Sequence, residues 1–115
     1  MLDGFWTVYF EFNGNSGSGV ITIANGKASG GDSSFTYKGE LKSSPEGKVK
    51  GQLNIDKYNE IQGPLIPGMY NYSLYITGHI NGDRLNLKGR VIGQTEVEFP
   101  ISGKRVSEVT VFGKP

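Results

Sequence analysis

Apolar and polar residues alternate with period two along most of this chain, and helical spacing is nearly absent. The first run, residues 5–12, puts Trp6, Val8, Phe10 and Phe12 on one face and Phe5, Thr7, Tyr9 and Glu11 on the other. Asn13-Gly14-Asn15-Ser16-Gly17 reads as the turn that ends it, because Asn-Gly readily takes positive φ. A second strand over 19–24 ends at Asn25-Gly26, another strong turn signal. Gly30-Gly31-Asp32-Ser33 reads as a loop leading into a third strand, with Phe35, Tyr37, Gly39 and Leu41 on one face. Ser43-Ser44-Pro45-Glu46-Gly47 is a corner with Pro at a favoured position. The next strand turns Val49, Gly51, Leu53 and Ile55 inward and Lys48, Lys50, Gln52 and Asn54 outward.

Residues 58–68 break the alternation with Pro64, Pro67, Gly63 and Gly68 among Ile61, Leu65 and Ile66. A connection of this kind often crosses one end of a barrel. Strands resume over 69–80, 84–92 and 96–104, joined by Asn81-Gly82-Asp83 and Gly93-Gln94. Val109 and Val111 alternate once more, so residues 109–115 form either a short last strand or a tail. The pattern gives seven or eight strands in a single domain over 1–115.

Five of these strands carry glycine in one phase, between polar neighbours: Gly39, Gly51, Gly78, Gly89 and Gly103. In four of them the next inward position is apolar; after Gly103 it is Arg105. Glycine weakens a strand interior, so its recurrence on the inward face needs a reason. A sheet that closes on itself supplies one, because inward side chains collide where it coils sharply. The same glycines could instead clear a lumen, and the pattern does not separate the two roles. The fold class is therefore all-β: a small antiparallel, lipocalin-like β-barrel of seven or eight strands.

Composition narrows the chemistry. The 115 residues carry 12 Lys plus Arg against 11 Asp plus Glu, a formal net charge of +1. Such a balance gives no field for gathering nucleic acid or anionic lipid. With no cysteine, disulfides and thiolate metal sites are excluded. No apolar run approaches the ~20 residues of a membrane helix, and the N-terminus lacks the pattern of a signal peptide. The expectation is a cytoplasmic protein with no membrane and no nucleic-acid partner.

No catalytic constellation emerges, and no cofactor or metal is expected. His79 is the only histidine and falls on the polar face of a strand, without the companions a general base or metal ligand needs. Glu96 and Glu98 share a strand face, as do Lys48 and Lys50; solvated faces account for both. The Gly-rich segment 13–19 lacks the Lys-Ser/Thr ending and the helix of a phosphate loop. One anomaly remains. Phe5, Tyr9, Ile21 and Ile23 are expected opposite the core face of the first two strands. A contiguous outer apolar patch of this kind marks a dimer or partner interface.

The residues also resemble a known family. Asp3-Gly4-Phe5-Trp6 at the start, Gly30-Gly31-Asp32-Ser33-Ser34-Phe35-Thr36-Tyr37-Lys38-Gly39, and Lys57-Tyr58-Asn59 followed by Ile61 and Tyr72-Ser73-Leu74 resemble the GrlR-like negative regulators of type III secretion. Those are small bacterial lipocalin-like barrels. The resemblance implies a cytosolic homodimer that sequesters a transcriptional activator. The acidic surface stretch of the best-known members is replaced here by Lys42-Ser43-Ser44-Pro45-Glu46-Gly47, with a single carboxylate. No partner-binding residue is carried over at that place.

Two functions follow as expectations. The first is a non-enzymatic regulator acting by protein–protein interaction. The second is a carrier of a small apolar ligand, with Trp6, Phe10, Tyr37, Tyr72 and Phe99 lining the lumen. A barrel of about eight strands either fills its interior or holds one ligand.

Overall fold

Two-residue turns set the register of the first half of the molecule. Asn13 and Gly14 both take positive φ, at 47° and 84°, and so do Asn25 and Gly26, at 51° and 80°. Paired positive φ values match the twist of a tight hairpin. The first turn pairs Phe12 directly with Asn15, so the strand resumes at once instead of after a longer loop. The second pairs Ala24 with Lys27 and starts a strand that the apolar pattern missed.

A computed structural model describes residues 2–109. They form eight strands and no helix: β1 (Gly4–Phe12), β2 (Asn15–Ala24), β3 (Lys27–Gly31), β4 (Phe35–Ser43), β5 (Lys48–Lys57), β6 (Asn71–Asn81), β7 (Arg84–Val91) and β8 (Gln94–Ser107). Each strand pairs antiparallel with the next, and β8 returns to pair with β1, which closes the barrel. Closure leaves no sheet edge to be protected. The expected all-β barrel is therefore observed, with eight strands. The eighth among the described residues is β3; the expected short last strand or tail over 109–115 lies, beyond Val109, outside the described residues. The apolar pattern misses β3 because its sequence is Lys-Ala-Ser-Gly-Gly, with Ala28 the one buried apolar side chain.

The register corrects the expected outer patch. Residues directly opposite in an antiparallel pair share a face. Trp6 pairs with Ile21 and Gly4 with Ile23, so both isoleucines point inward beside Trp6. They are 3% and 0% exposed. A five-residue turn would set Ile21 across from outward Tyr9; the two-residue turn sets it across from Trp6 and so reverses the phase of β2. The outer face here holds half-buried Phe5 and exposed Tyr9, with exposed Val20 across from Thr7.

The repeated glycines divide into two groups. A Cβ at Gly39 would lie 1.9 Å from the Gln52 carbonyl oxygen, and one at Gly51 would lie 2.0 Å from that of Glu40. Strands β4 and β5 thus approach too closely at both places for any side chain. Gly78 stands in the same way 2.1 Å from the Asn86 carbonyl. Close backbone approach of this kind accounts for glycine in a strand interior and fits the tight coiling of a small barrel. At Gly89 the nearest atoms are side-chain methyls of Ile101 and Leu74, at 3.2 and 3.3 Å, and at Gly103 they belong to Leu85, from 3.2 Å. Those two glycines make room for neighbouring side chains.

One end of the barrel is closed by Trp6 and Arg105. Trp6 is fully buried, and its Nε1 donates to the Leu2 carbonyl at 2.8 Å. Arg105 pairs with Trp6 across β1 and β8, so it occupies an inward position where the other glycine strands place an apolar residue. Its guanidinium lies over the indole ring, 4.6 Å from the centroid. Its Nε donates to Asp83 Oδ1 at 2.8 Å, and its other nitrogens donate to the carbonyls of Asp3 and Gly82. The apolar face of the guanidinium thus covers the core while its donors are satisfied at the rim.

Apolar side chains face inward, and Lys38, Glu40, Lys42, Lys48, Lys50, Gln52, Lys88 and Arg90 are exposed outside. That distribution is the reverse of a lipid-facing barrel. Among the described residues no helix is long and apolar enough to cross a membrane.

Candidate functional site

The opposite end of the barrel opens into a cavity of about 330 Å³. That is within the range of small-molecule sites, at its lower end. Its walls are Val8, Ile21, Leu53, Leu74, Leu87 and similar residues from all strands except β3. Four of the five expected lumen residues, Phe10, Tyr37, Tyr72 and Phe99, do line it. Trp6 does not. It lies packed at the closed end, beneath Arg105, and the first strand carries it away from the open mouth.

Glycine also shapes this end. A Cβ at Gly17 would meet the Phe10 ring at 2.5 Å, and one at Gly19 would meet the Tyr37 hydroxyl at 2.6 Å. Of the Gly-rich stretch only Asn13 and Gly14 form the turn; the rest is strand and not a phosphate loop. Gly17 and Gly19 lie on the inward face of early β2, kept bare so that two aromatic rings fit. Phe10 and Tyr37 then meet edge to face, with centroids 6.1 Å apart and planes at 84°. Edge-to-face contact suits the ring quadrupoles.

The mouth is polar and built around Asp32. Its Oδ1 accepts from the backbone N–H groups of Ser34 and Phe35, both at 2.8 Å, which closes the β3–β4 turn. Its Oδ2 accepts from the Tyr37 hydroxyl. Its backbone carbonyl accepts from the Tyr58 hydroxyl. Burial, the hydrogen bond to Asp32 and the charge of Asp32, in that order, push the Tyr37 hydroxyl far above its ordinary pKa. Burial first and then the Asp32 charge push Tyr72 up to about 12. Both phenols therefore stay protonated, neutral hydrogen-bond donors at ordinary pH. Neither can serve as a base there.

The expected long connection does cross this end. Residues 58–70 run over the mouth, and Gln62, Gly63, Pro64 and Leu65 line the cavity. The strap is tied to the rim at several points. Gln62 N donates to Ser34 Oγ at 2.8 Å, and Ser33 Oγ donates to Gln62 Oε1 at 2.6 Å. Tyr58 N and Asn59 N donate to the Ser34 carbonyl, and Asn15 Nδ2 donates to that of Leu65 at 3.2 Å. Ser34 is fully buried at the centre of this tie. Ile66 anchors the strap in the core.

Asp32, Ser34 and Gln62 were not singled out by sequence reasoning. The signal for Asp32 was present: a lone acid between glycines and serines, directly before an aromatic strand. Of the other sequence candidates, Ile21 and Ile23 line the cavity, whereas Phe5, Tyr9, His79 and Glu98 stay apart from it. His79 is exposed on the outer face of β6. Glu98 is an exposed residue bridged to Arg90 at 3.1 Å and Lys88 at 3.6 Å. The Arg90 hydrogen bond, then the Lys88 charge, hold its carboxyl below the usual range. His79→Ala is expected to leave both the urea midpoint and lumen binding at their parent values. Loss of binding in a folded His79→Ala protein would place function on the outer face instead. Compared with known proteins, the chain matches no protein-family model and no curated protein, so the GrlR-like resemblance rests on the motifs quoted above.

Proposed function

We propose that this protein is a non-enzymatic carrier that holds a small apolar ligand in its barrel. The observation that carries the reading is the lumen: about 330 Å³, walled by aliphatic and aromatic side chains and open beneath a strap. An engineered apolar cavity of about 150 Å³ takes up benzene, so this one suits an occupant on the order of a dozen non-hydrogen atoms. A cytoplasmic setting belongs to the same proposal and agrees with a chain that lacks cysteine. Decanol titrated by calorimetry is expected to bind with a stoichiometry of one. Leu53→Trp adds bulk from the lumen wall and is expected to abolish that binding while the barrel stays folded. Absence of decanol binding to the parent protein, or binding untouched by Leu53→Trp, would overturn the reading.

A second reading, a homodimeric regulator that binds a transcriptional activator, draws on the GrlR-like resemblance and on the outer face of β1 and β2. Tyr9 and Val20 are 47% and 39% exposed there, with half-buried Phe5 nearby. This patch is smaller than the sequence suggested, since Ile21 and Ile23 belong to the core. Light scattering distinguishes the readings. A dimer that Tyr9→Lys splits supports the regulator, and a monomeric parent removes the homodimer from it.

A further inference from the structure

The charge of the lumen limits what it selects. Asp32 is the one ionisable acid or base among its lining residues apart from the two neutral phenols; no Lys, Arg or His is among them. Among the described residues Asp32 takes part in no ion pair. Its Oδ1 is committed to the two backbone N–H groups of its own turn, whereas Oδ2 accepts from Tyr37 alone. A carboxylate offers about four acceptor positions, so Oδ2 retains capacity for one more donor. Tyr72 lines the same cavity, and its hydroxyl makes no side-chain hydrogen bond among the described residues. Its ring stands near enough for the Asp32 charge to act on it. The aromatic rings of Phe10, Phe35, Tyr37 and Phe99 complete the surroundings.

A carboxylate beside apolar walls is poorly solvated, and a cation that reaches it is favoured by charge, by hydrogen bonding and by the neighbouring ring faces. An anionic head group would meet a like charge with no cation to offset it. On this ground, and resting on the carrier reading above, we propose that the lumen takes an amphiphilic amine. The apolar body occupies the lumen. The protonated amino group sits at the mouth, donating to Asp32 Oδ2 and to the oxygen of Tyr72. The strap residues Gln62 to Leu65 lie over that position and shield the pair from water. Asp32 would then have two functions on its two oxygens: one holds the turn, and the other reads the ligand.

Decylamine, decanol and decanoate have nearly equal apolar bodies and differ in head-group charge at neutral pH. Calorimetric titration of the unmodified protein is expected to rank them in that order. Decylamine should bind about tenfold or more tightly than decanol, as a charge-assisted hydrogen bond allows. Decanoate should bind weakest. In Asp32→Asn the amide oxygen can still accept from the turn N–H groups while the charge is gone. The amine's advantage over decanol should then vanish, with decanol binding retained as the sign of an intact barrel. If decanol binds the parent but decanoate matches or exceeds decylamine, the amine selectivity is overturned and the carrier reading stands. If decylamine keeps its advantage in a decanol-binding Asp32→Asn protein, the assignment to Asp32 is overturned. If none of the three binds the parent, both the selectivity and the carrier reading are overturned.

Discussion

Gly51→Val is expected to destabilise the barrel by about 3 kcal/mol or more, and Gly89→Val by about 1 kcal/mol. The difference comes from what each new side chain meets. At Gly51 the obstacle is the Glu40 carbonyl oxygen, 2.0 Å from where a Cβ would stand. That oxygen belongs to a strand paired on both sides, so it cannot retreat without breaking ladder hydrogen bonds. Gly39 faces the Gln52 carbonyl of the same strand pair, so relaxation in one place tightens the other. At Gly89 the nearest atoms are the ends of Ile101 and Leu74, from 3.2 Å, and these can rotate toward the open lumen. Urea titrations of both variants measure the contrast. Equal midpoints would mean that the closely approaching strands yield as easily as side chains do, and would remove the close-approach role of Gly51.

Trp6→Ala is expected to cost about 3–5 kcal/mol, the range for deleting a large buried aromatic. The indole is fully buried and lies between the Leu2 carbonyl and the Arg105 guanidinium. Its removal leaves a cavity at the closed end and takes away the ring on which Arg105 rests. Trp6→Phe should cost less, since a ring remains and the Nε1 donor is what is lost. Neither change should abolish decanol binding at a temperature where the variant is folded, because Trp6 does not line the lumen. A thermal or urea shift corresponding to less than about 1 kcal/mol for Trp6→Ala would contradict the role of this residue as the plug.

The two ends of the barrel show how far local pattern reaches. Alternation placed Trp6, Val8 and Phe10 on the inward face of β1, and Leu53, Ile55 and their partners on that of β5, because a strand's side chains alternate whatever it pairs with. The same rule put the glycines on the inward face. It could not say that Gly51 meets a backbone and Gly89 a methyl group, since each neighbour lies on another strand. Nor could it place Ile21 and Ile23. Their phase relative to Trp6 depends on the parity of one turn, and a turn read as five residues instead of two reverses an entire strand.

The site was legible in part for a related reason. Phe10, Tyr37, Tyr72 and Phe99 are large residues on inward phases, so the alternation alone placed them in the interior. Sequence by itself therefore determined that this chain is an all-β barrel, which side chains line most of its interior, and that one long connection crosses an end. Which end is plugged and which is open was decided only in three dimensions. Arg105 comes to lie over Trp6 because β8 closes on β1, nearly a full chain length away. Asp32 gathers Tyr37, Tyr58 and the neighbourhood of Tyr72 at the mouth because closure brings a hairpin turn, a strand and a crossing strap to one rim. Such long-range meetings leave no periodic trace, since periodicity records which face a residue occupies and not which residue stands opposite.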